Sequence, residues 1–478
     1  MVETQTNDYL EKERLGKLML KYAVPCVISM LVAALYNIVD QIFIANAKYL
    51  GSYGNAANTV VFPLTVVAIA IAVMIGDGCC TFVSINLGAK KREDACRGVG
   101  SSVIAVIAVG LLLMVVYLIF QEPILTAFGG RVNSETFQMS KEYFFWITLG
   151  IPFYMFGQAL NPIIRSDGSP RFAMMTLTLG AVLNIILDPV FIFGLHWGMA
   201  GAAIATIIGQ IVSAILAAAY LFRMKAVKVD KDCFIFRPRL MRKILTFGSA
   251  SFLSQISIVL SMAATLNMAV KYGAMDPIFG QTEYAHIPTA VTGIVMKFFQ
   301  IIISISAGLA AGCIPIAGYN IGAKRNDRVA ELMKRLMTVE ALVGLIASLF
   351  FLLFPHQLIG FFGAENESIY YTQFAVWFIR SQLCLLVLAC VNKGTFIFLQ
   401  SLGQAKQSSI LSLTREIVFG AGLPILLPAL FGGLYALPFF MPAADTLTFL
   451  AIAVALYMTK KSLERPSPAD TEATSSMR

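Results

Sequence analysis

Apolar residues in this 478-residue chain gather into long continuous stretches separated by short polar connections. Twelve of these reach the roughly 20 residues that an α-helix needs to cross about 30 Å of hydrocarbon. They run approximately 17–45, 55–85, 98–121, 137–161, 171–195, 199–223, 243–271, 286–319, 331–355, 370–400, 407–431 and 433–459. None alternates with the period of a barrel strand, and a helix is the other structure that satisfies its own backbone inside lipid. The pattern predicts an all-α polytopic membrane protein with twelve transmembrane helices. Because the start, Met1 to Glu11, is polar and the first stretch is too long for a signal peptide core, the first helix is expected to stay as an anchor.

The polar punctuation repeats. Asn86-Leu-Gly-Ala-Lys90 returns as Asn320-Ile-Gly-Ala-Lys324, and Ser166-Asp-Gly-Ser-Pro-Arg171 lines up with Ser401-Leu-Gly-Gln-Ala-Lys406, each at a separation of about 235 residues. An even number of stretches precedes the longest polar connection, so both halves enter the membrane in the same direction, as parallel repeats about an axis along the membrane normal. The expected division is an N-terminal six-helix lobe (1–222), a cytoplasmic linker (223–243), a C-terminal six-helix lobe (244–461) and a tail (462–478) too polar to fold alone. Two parallel lobes imply a cavity between them, and internal duplication in a membrane protein points to transport.

Composition narrows the picture. At 58% hydrophobic and 13% charged residues, the chain has more apolar surface than a soluble protein could bury. The net charge of +9 raises the question of nucleic acid, but the distribution of Lys and Arg answers it. With the N-terminus in the cytoplasm, only Lys48, Arg131, Lys141 and Lys271 fall on the far side, the asymmetry expected of a multi-pass plasma-membrane protein with both termini inside. The eight cysteines show no metal-ligand spacing and are expected to form neither disulfides nor a metal site. No HExxH and no phosphate-binding GK[ST] loop occurs, so no enzyme and no cofactor is expected.

Ionisable groups inside apolar helices cost about 2.5–3.5 kcal/mol each at mid-bilayer and need a partner, a wet cavity or a role. The first half holds Asp40, Asp77 and Asp188, with no basic residue expected in its helices; the second holds Lys297, Glu340, Arg380, Lys393, Arg415 and Glu416. Asp188 follows Asn184 by one helical turn and precedes Pro189, and Asp40 follows Tyr36 by one turn, so each pair shares a helix face. Two carboxylates facing one buried space repel when both are charged and so can take up a proton between them. Asp77, between Gly76 and Gly78, reads as a packing position. The basic residues of the second half are expected to pair with Glu340 or Glu416, whereas Arg415 and Glu416, as neighbours on different helix faces, are not expected to pair with each other.

Together, Tyr36-Asn-Ile-Val-Asp-Gln-Ile-Phe43, Asn86–Lys90, Arg165-Ser-Asp-Gly-Ser-Pro170, Leu183-Asn-Ile-Ile-Leu-Asp-Pro189, Asn320–Lys324 and Phe398-Leu-Gln-Ser-Leu-Gly403 resemble the multidrug and toxic compound extrusion (MATE) family, and within it the bacterial MepA-like branch. The resemblance spans almost the whole chain. It implies a twelve-helix, two-lobe fold that alternates between outward and inward openings and exchanges protons or sodium for organic cations and drugs. It also implies a site for the coupling cation at Tyr36, Asp40, Asn161, Asn184, Asp188 and Thr206. Other branches carry acids in the seventh and tenth helices; here the seventh has none and the tenth offers Lys393, which favours protons acting through the first lobe over sodium. Lys297, Arg380, Lys393 and Arg415 as cavity charges keep an alternative open, a flippase for lipid-linked oligosaccharide. The expected partners are small organic cations and the bilayer, with the protein acting as a monomer.

Overall fold

The computed structural model describes residues 7–47, 49–128, 134–228, 230–361 and 368–463; Lys48, Arg131 and the tail from residue 464 lie outside them. The described residues contain helices and no strand. In the first half these are α1 (Tyr9–Lys12), α2 (Leu15–Asn46), α3 (Gly51–Gly88), α4 (Arg92–Ile119), α5 (Gln121–Ala127), α6 (Ser134–Ser166), α7 (Pro170–Pro189) and α8 (Gly198–Leu221). In the second they are α9 (Pro238–Gly273), α10 (Ile287–Gly322), α11 (Asn326–Leu353), α12 (Pro355–Phe361), α13 (Ile369–Leu383), α14 (Leu386–Ser401), α15 (Ala405–Leu413), α16 (Gly420–Phe431) and α17 (Phe440–Leu463). Eleven spans are continuous, and α13 with α14, bent by 44°, makes the twelfth.

Each half packs into its own bundle, and the two lobes meet symmetrically, α3 against α9 and α2 against α10. The repeated sequences explain this contact. Each Asn-x-Gly-Ala-Lys turn ends a helix, with Lys90 at φ 61° and Lys324 at φ 60° in the left-handed region and the next amide returning to the motif asparagine (Lys91 N to Asn86 O 2.8 Å, Arg325 N to Asn320 O 2.9 Å). The motif glycines then pack reciprocally across the lobes. A side chain at Gly88 would strike the Tyr319 carbonyl of α10, and one at Gly322 the Ile85 carbonyl of α3. The second echo behaves likewise, with Gly168 and Gly403 both left-handed (φ 92° and 77°) after a serine that donates back to its own helix.

On this turn face the first described residues strap the lobes together. Asn7 donates to the Ser166 carbonyl (3.1 Å) in the first lobe. In the second, Tyr319 donates to Asp8 (3.1 Å), Asn320 donates to the Leu10 carbonyl (3.2 Å), and Arg328 donates to those of Leu10 and Glu13 (3.2 and 2.6 Å).

Two expectations are corrected. Span four continues to Ser166, so the first lobe does contain a buried cation, Arg165, at 1% exposure. And Cys96 and Cys233 form a disulfide, with Cα atoms 5.5 Å apart. Asp167 accepts from Tyr220 and from the amides of Lys225, Ala226 and Val227, which folds the linker back onto the lobe and seats its Cys233 turn against the start of α4. Residues 137 positions apart were paired by that docking and not by any spacing.

Candidate functional site

Because lipid offers polar groups no partner, those in the spans turn inward. The packing of α2 on α7 brings Asp40 and Asp188 within hydrogen-bonding reach of each other. Asp40 is 7% exposed and Asp188 fully buried. Asn184 donates to Asp188 Oδ1 (3.1 Å) and to Thr206 Oγ1 of α8 (3.2 Å). Asn58 of α3 reaches Asp40; sequence reading missed it, although an Asn inside the second apolar stretch was the available signal. Asp40 Oδ1, Asn184 Oδ1 and Asp188 Oδ2 are buried with no hydrogen-bond partner among the described residues. None of the ion pairs among the described residues includes either carboxylate. Two ionised carboxylates this close repel.

Tyr36 stands where three adjoining cavities of about 490, 690 and 1060 Å³ meet. Asn184 lines the first and Asp40 the second, and Thr206 lines both. Five of the six residues expected to form the site are thus gathered. Asn161 is not among them: it donates to the Ala173 carbonyl (2.7 Å), tying α6 to α7, and lines the largest of these three cavities beside Asp77 and Arg165. Asp77 does more than pack. It lies 3.7 Å from Arg165 and accepts from Ser251 of α9 (2.8 Å), so it joins the two lobes across the large cavity.

The second lobe is arranged differently. Arg415 clamps Asp445 of α17 with Nε and Nη2 (2.9 and 3.2 Å) and reaches Glu416 with Nη1 (3.2 Å). Asn392 also donates to Asp445. Lys393 donates to Ser254 and lies 3.6 Å from Glu416. The pairing of Arg415 with Glu416 corrects the expectation from helix periodicity. Residues Thr414–Phe419 form a π-helical turn, whose wider spacing changes which side chains share a face. Asp445 was missed, although it is an acid inside the twelfth apolar stretch. The expected partner Glu340 is fully buried and in no ion pair with a described residue, lying instead against Gly394. Lys393 and Arg415 line a cavity of about 710 Å³. Lys297 and Arg380 stand apart: Lys297 is half-buried, and Arg380 is exposed and donates to the Leu352 carbonyl (3.2 Å).

Twelve helical spans in two parallel lobes, with a buried carboxylate pair whose Asp40 lines a polar cavity, define a multi-pass membrane transporter. The chain belongs to the MatE family, whose model matches residues 25–190 and 280–424, one stretch in each half. It is 25% identical to the Multidrug export protein MepA of Staphylococcus aureus (strain MSSA476), over 95% of this chain and 96% of that one. A protein of the same name from Staphylococcus saprophyticus is also 25% identical over the same shares. Among solved structures, the MATE multidrug transporter DinF-BH is 31% identical with a TM-score of 0.82, covering 92% of this chain and 95% of that one. An outward-facing MATE family transporter of the MOP superfamily has the same fold, with a TM-score of 0.87 at 23% identity over 97% of this chain and 100% of that one.

Proposed function

We propose that this transporter exports organic cations and drugs from a bacterial cell, across a plasma membrane in which both its termini face the cytoplasm, and that it does so as a proton antiporter. One observation carries the reading: Asp40 and Asp188 are buried within reach of each other, with unfilled oxygens and no basic partner among the described residues. The names of the MepA relatives and of DinF-BH support drugs as the cargo. A proton entering the pair from outside weakens its hold on a cationic drug and favours repacking of the lobes; loss of the proton inside restores that hold. The coupling needs only a different affinity of each ligand for the two arrangements. One proton exchanged for one monovalent cation moves no charge, so a pH unit supplies about 1.4 kcal/mol, and a second proton adds about 1.4 from pH and about 2.3 from 100 mV. Two carboxyls give room for that second proton.

Sodium is the alternative ion, favoured by Asn184 Oδ1, an unfilled oxygen that a proton does not require. The flippase reading weakens because Arg415 is held by Asp445 and Glu416, and Lys297 and Arg380 stand apart from the cavity that Lys393 and Arg415 line. The test is ethidium uptake into everted vesicles under an imposed pH gradient, with and without sodium. Wild type is expected to accumulate the dye without sodium, and Asp40→Asn and Asp188→Asn to lose this. Uptake by both variants equal to that of wild type sinks the proposal.

A further inference from the structure

The polar groups that line cavities differ between the lobes. In the first lobe Asp40 Oδ1, Asn184 Oδ1 and Gln210 Oε1 line them with no hydrogen-bond partner among the described residues. In the second the cation Lys393 faces two cavities. Its ammonium carries three N–H groups, of which Ser254 takes one, and Glu416 at 3.6 Å is beyond hydrogen-bond distance. Arg415 turns three of its five N–H groups to Asp445 and Glu416 and holds the Glu416 carboxylate in place. Lys393 lines both the 710 Å³ cavity and the 1060 Å³ cavity between the lobes, so its spare donors border open space on two sides. Ser412 Oγ and, from the first lobe, Arg165 Nε line the larger one, each buried with no hydrogen-bond partner among the described residues.

We propose that the second-lobe cavity binds an amphiphile bearing a single carboxylate, with Lys393 gripping its head. The four charges of the network cancel, so a small inorganic anion gains little by entering. A dianion is opposed by Glu416. A monoanion completes the open donors of Lys393, and the rest of the cavity selects its body: Met262, Met296 and Met441 are adaptable thioethers, and Phe299 and Phe396 are flat apolar walls. This site goes beyond the cation export proposed above and does not rest on it.

The test uses the purified full-length protein in lipid nanodiscs, titrated with 11-(dansylamino)undecanoic acid and separately with its uncharged carboxamide, against nanodiscs without protein. The acid is expected to bind saturably and about tenfold or more tightly than the amide, since a charge-assisted hydrogen bond distinguishes them. Lys393→Gln is expected to lower the acid to the amide's affinity, Met296→Trp to weaken both by filling the cavity, and Asp40→Asn to change neither. Equal binding of acid and amide, a signal no larger than that of empty nanodiscs, or an unaltered acid affinity in Lys393→Gln overturns the proposal. If thermal unfolding shows that Lys393→Gln does not fold, Lys393→Arg is expected to keep acid binding and Met296→Trp to lose it, and failure of either overturns it. Acid binding that survives while ethidium transport is absent would reject proton-coupled cation export and leave this site standing.

Discussion

Asp40 of the first lobe aligns with Thr265 of the second, Asn184 with Phe419 and Asp188 with Leu423, while Pro189 meets Pro424 and the turn glycines Gly88 and Gly322 meet each other. The structure gives this mixture a physical form. Where the lobes touch, the repeat is kept: two left-handed turns, two glycines, two carbonyls accepting close approach. Where the lobes face cavities, it is broken. The first lobe buries a carboxylate pair, and the second lines its cavity with an ion network that is nearly complete in itself. Even the two proline-bearing helices differ, since the π-helical turn follows Pro189 in the first lobe, at Val190–Gly194, but precedes Pro424 in the second. Contact surfaces that must fit each other change together, whereas cavity walls are free to diverge.

The largest effect should come from breaking the network of the second lobe. Arg415→Leu leaves Asp445 without its bidentate partner and is expected to cost about 3–5 kcal/mol, read as a lower midpoint in detergent-stable unfolding; adding Asp445→Leu should recover much of it. The matching change in the first lobe should separate stability from transport. Asp188→Asn removes one of two repelling groups, so its unfolding midpoint is expected to hold or rise while pH-driven ethidium transport falls about tenfold or more. A loss of folding there would erase the contrast between the lobes.

Symmetry at the contact face makes its own prediction. Gly88→Val and Gly322→Val each force a side chain into a facing carbonyl, and each is expected to cost about 1–3 kcal/mol, equal within error. Markedly unequal costs would show that the turns are alike in sequence but not in load. The smallest effect is expected at the strap: Arg328→Ala removes bonds to the Leu10 and Glu13 carbonyls, costing about 1–2 kcal/mol and hastening proteolysis of the first residues with little change elsewhere.

The sequence by itself determined the twelve spans, the parallel repeat, and the pairing of Tyr36 with Asp40 and Asn184 with Asp188 along their helices. These rest on apolar length set by bilayer thickness, on internal repetition and on helical periodicity. Only the tertiary structure decided which polar groups meet. It drew Asn58 to Asp40 and left Asn161 out, set Arg165 against Asp77, joined Cys96 to Cys233, and used Asp445 and a widened helical turn to complete the network around Arg415. The reason is that a buried charge in a membrane must be satisfied by whatever side chain packing brings near, and that neighbour lies dozens or hundreds of residues away in the chain.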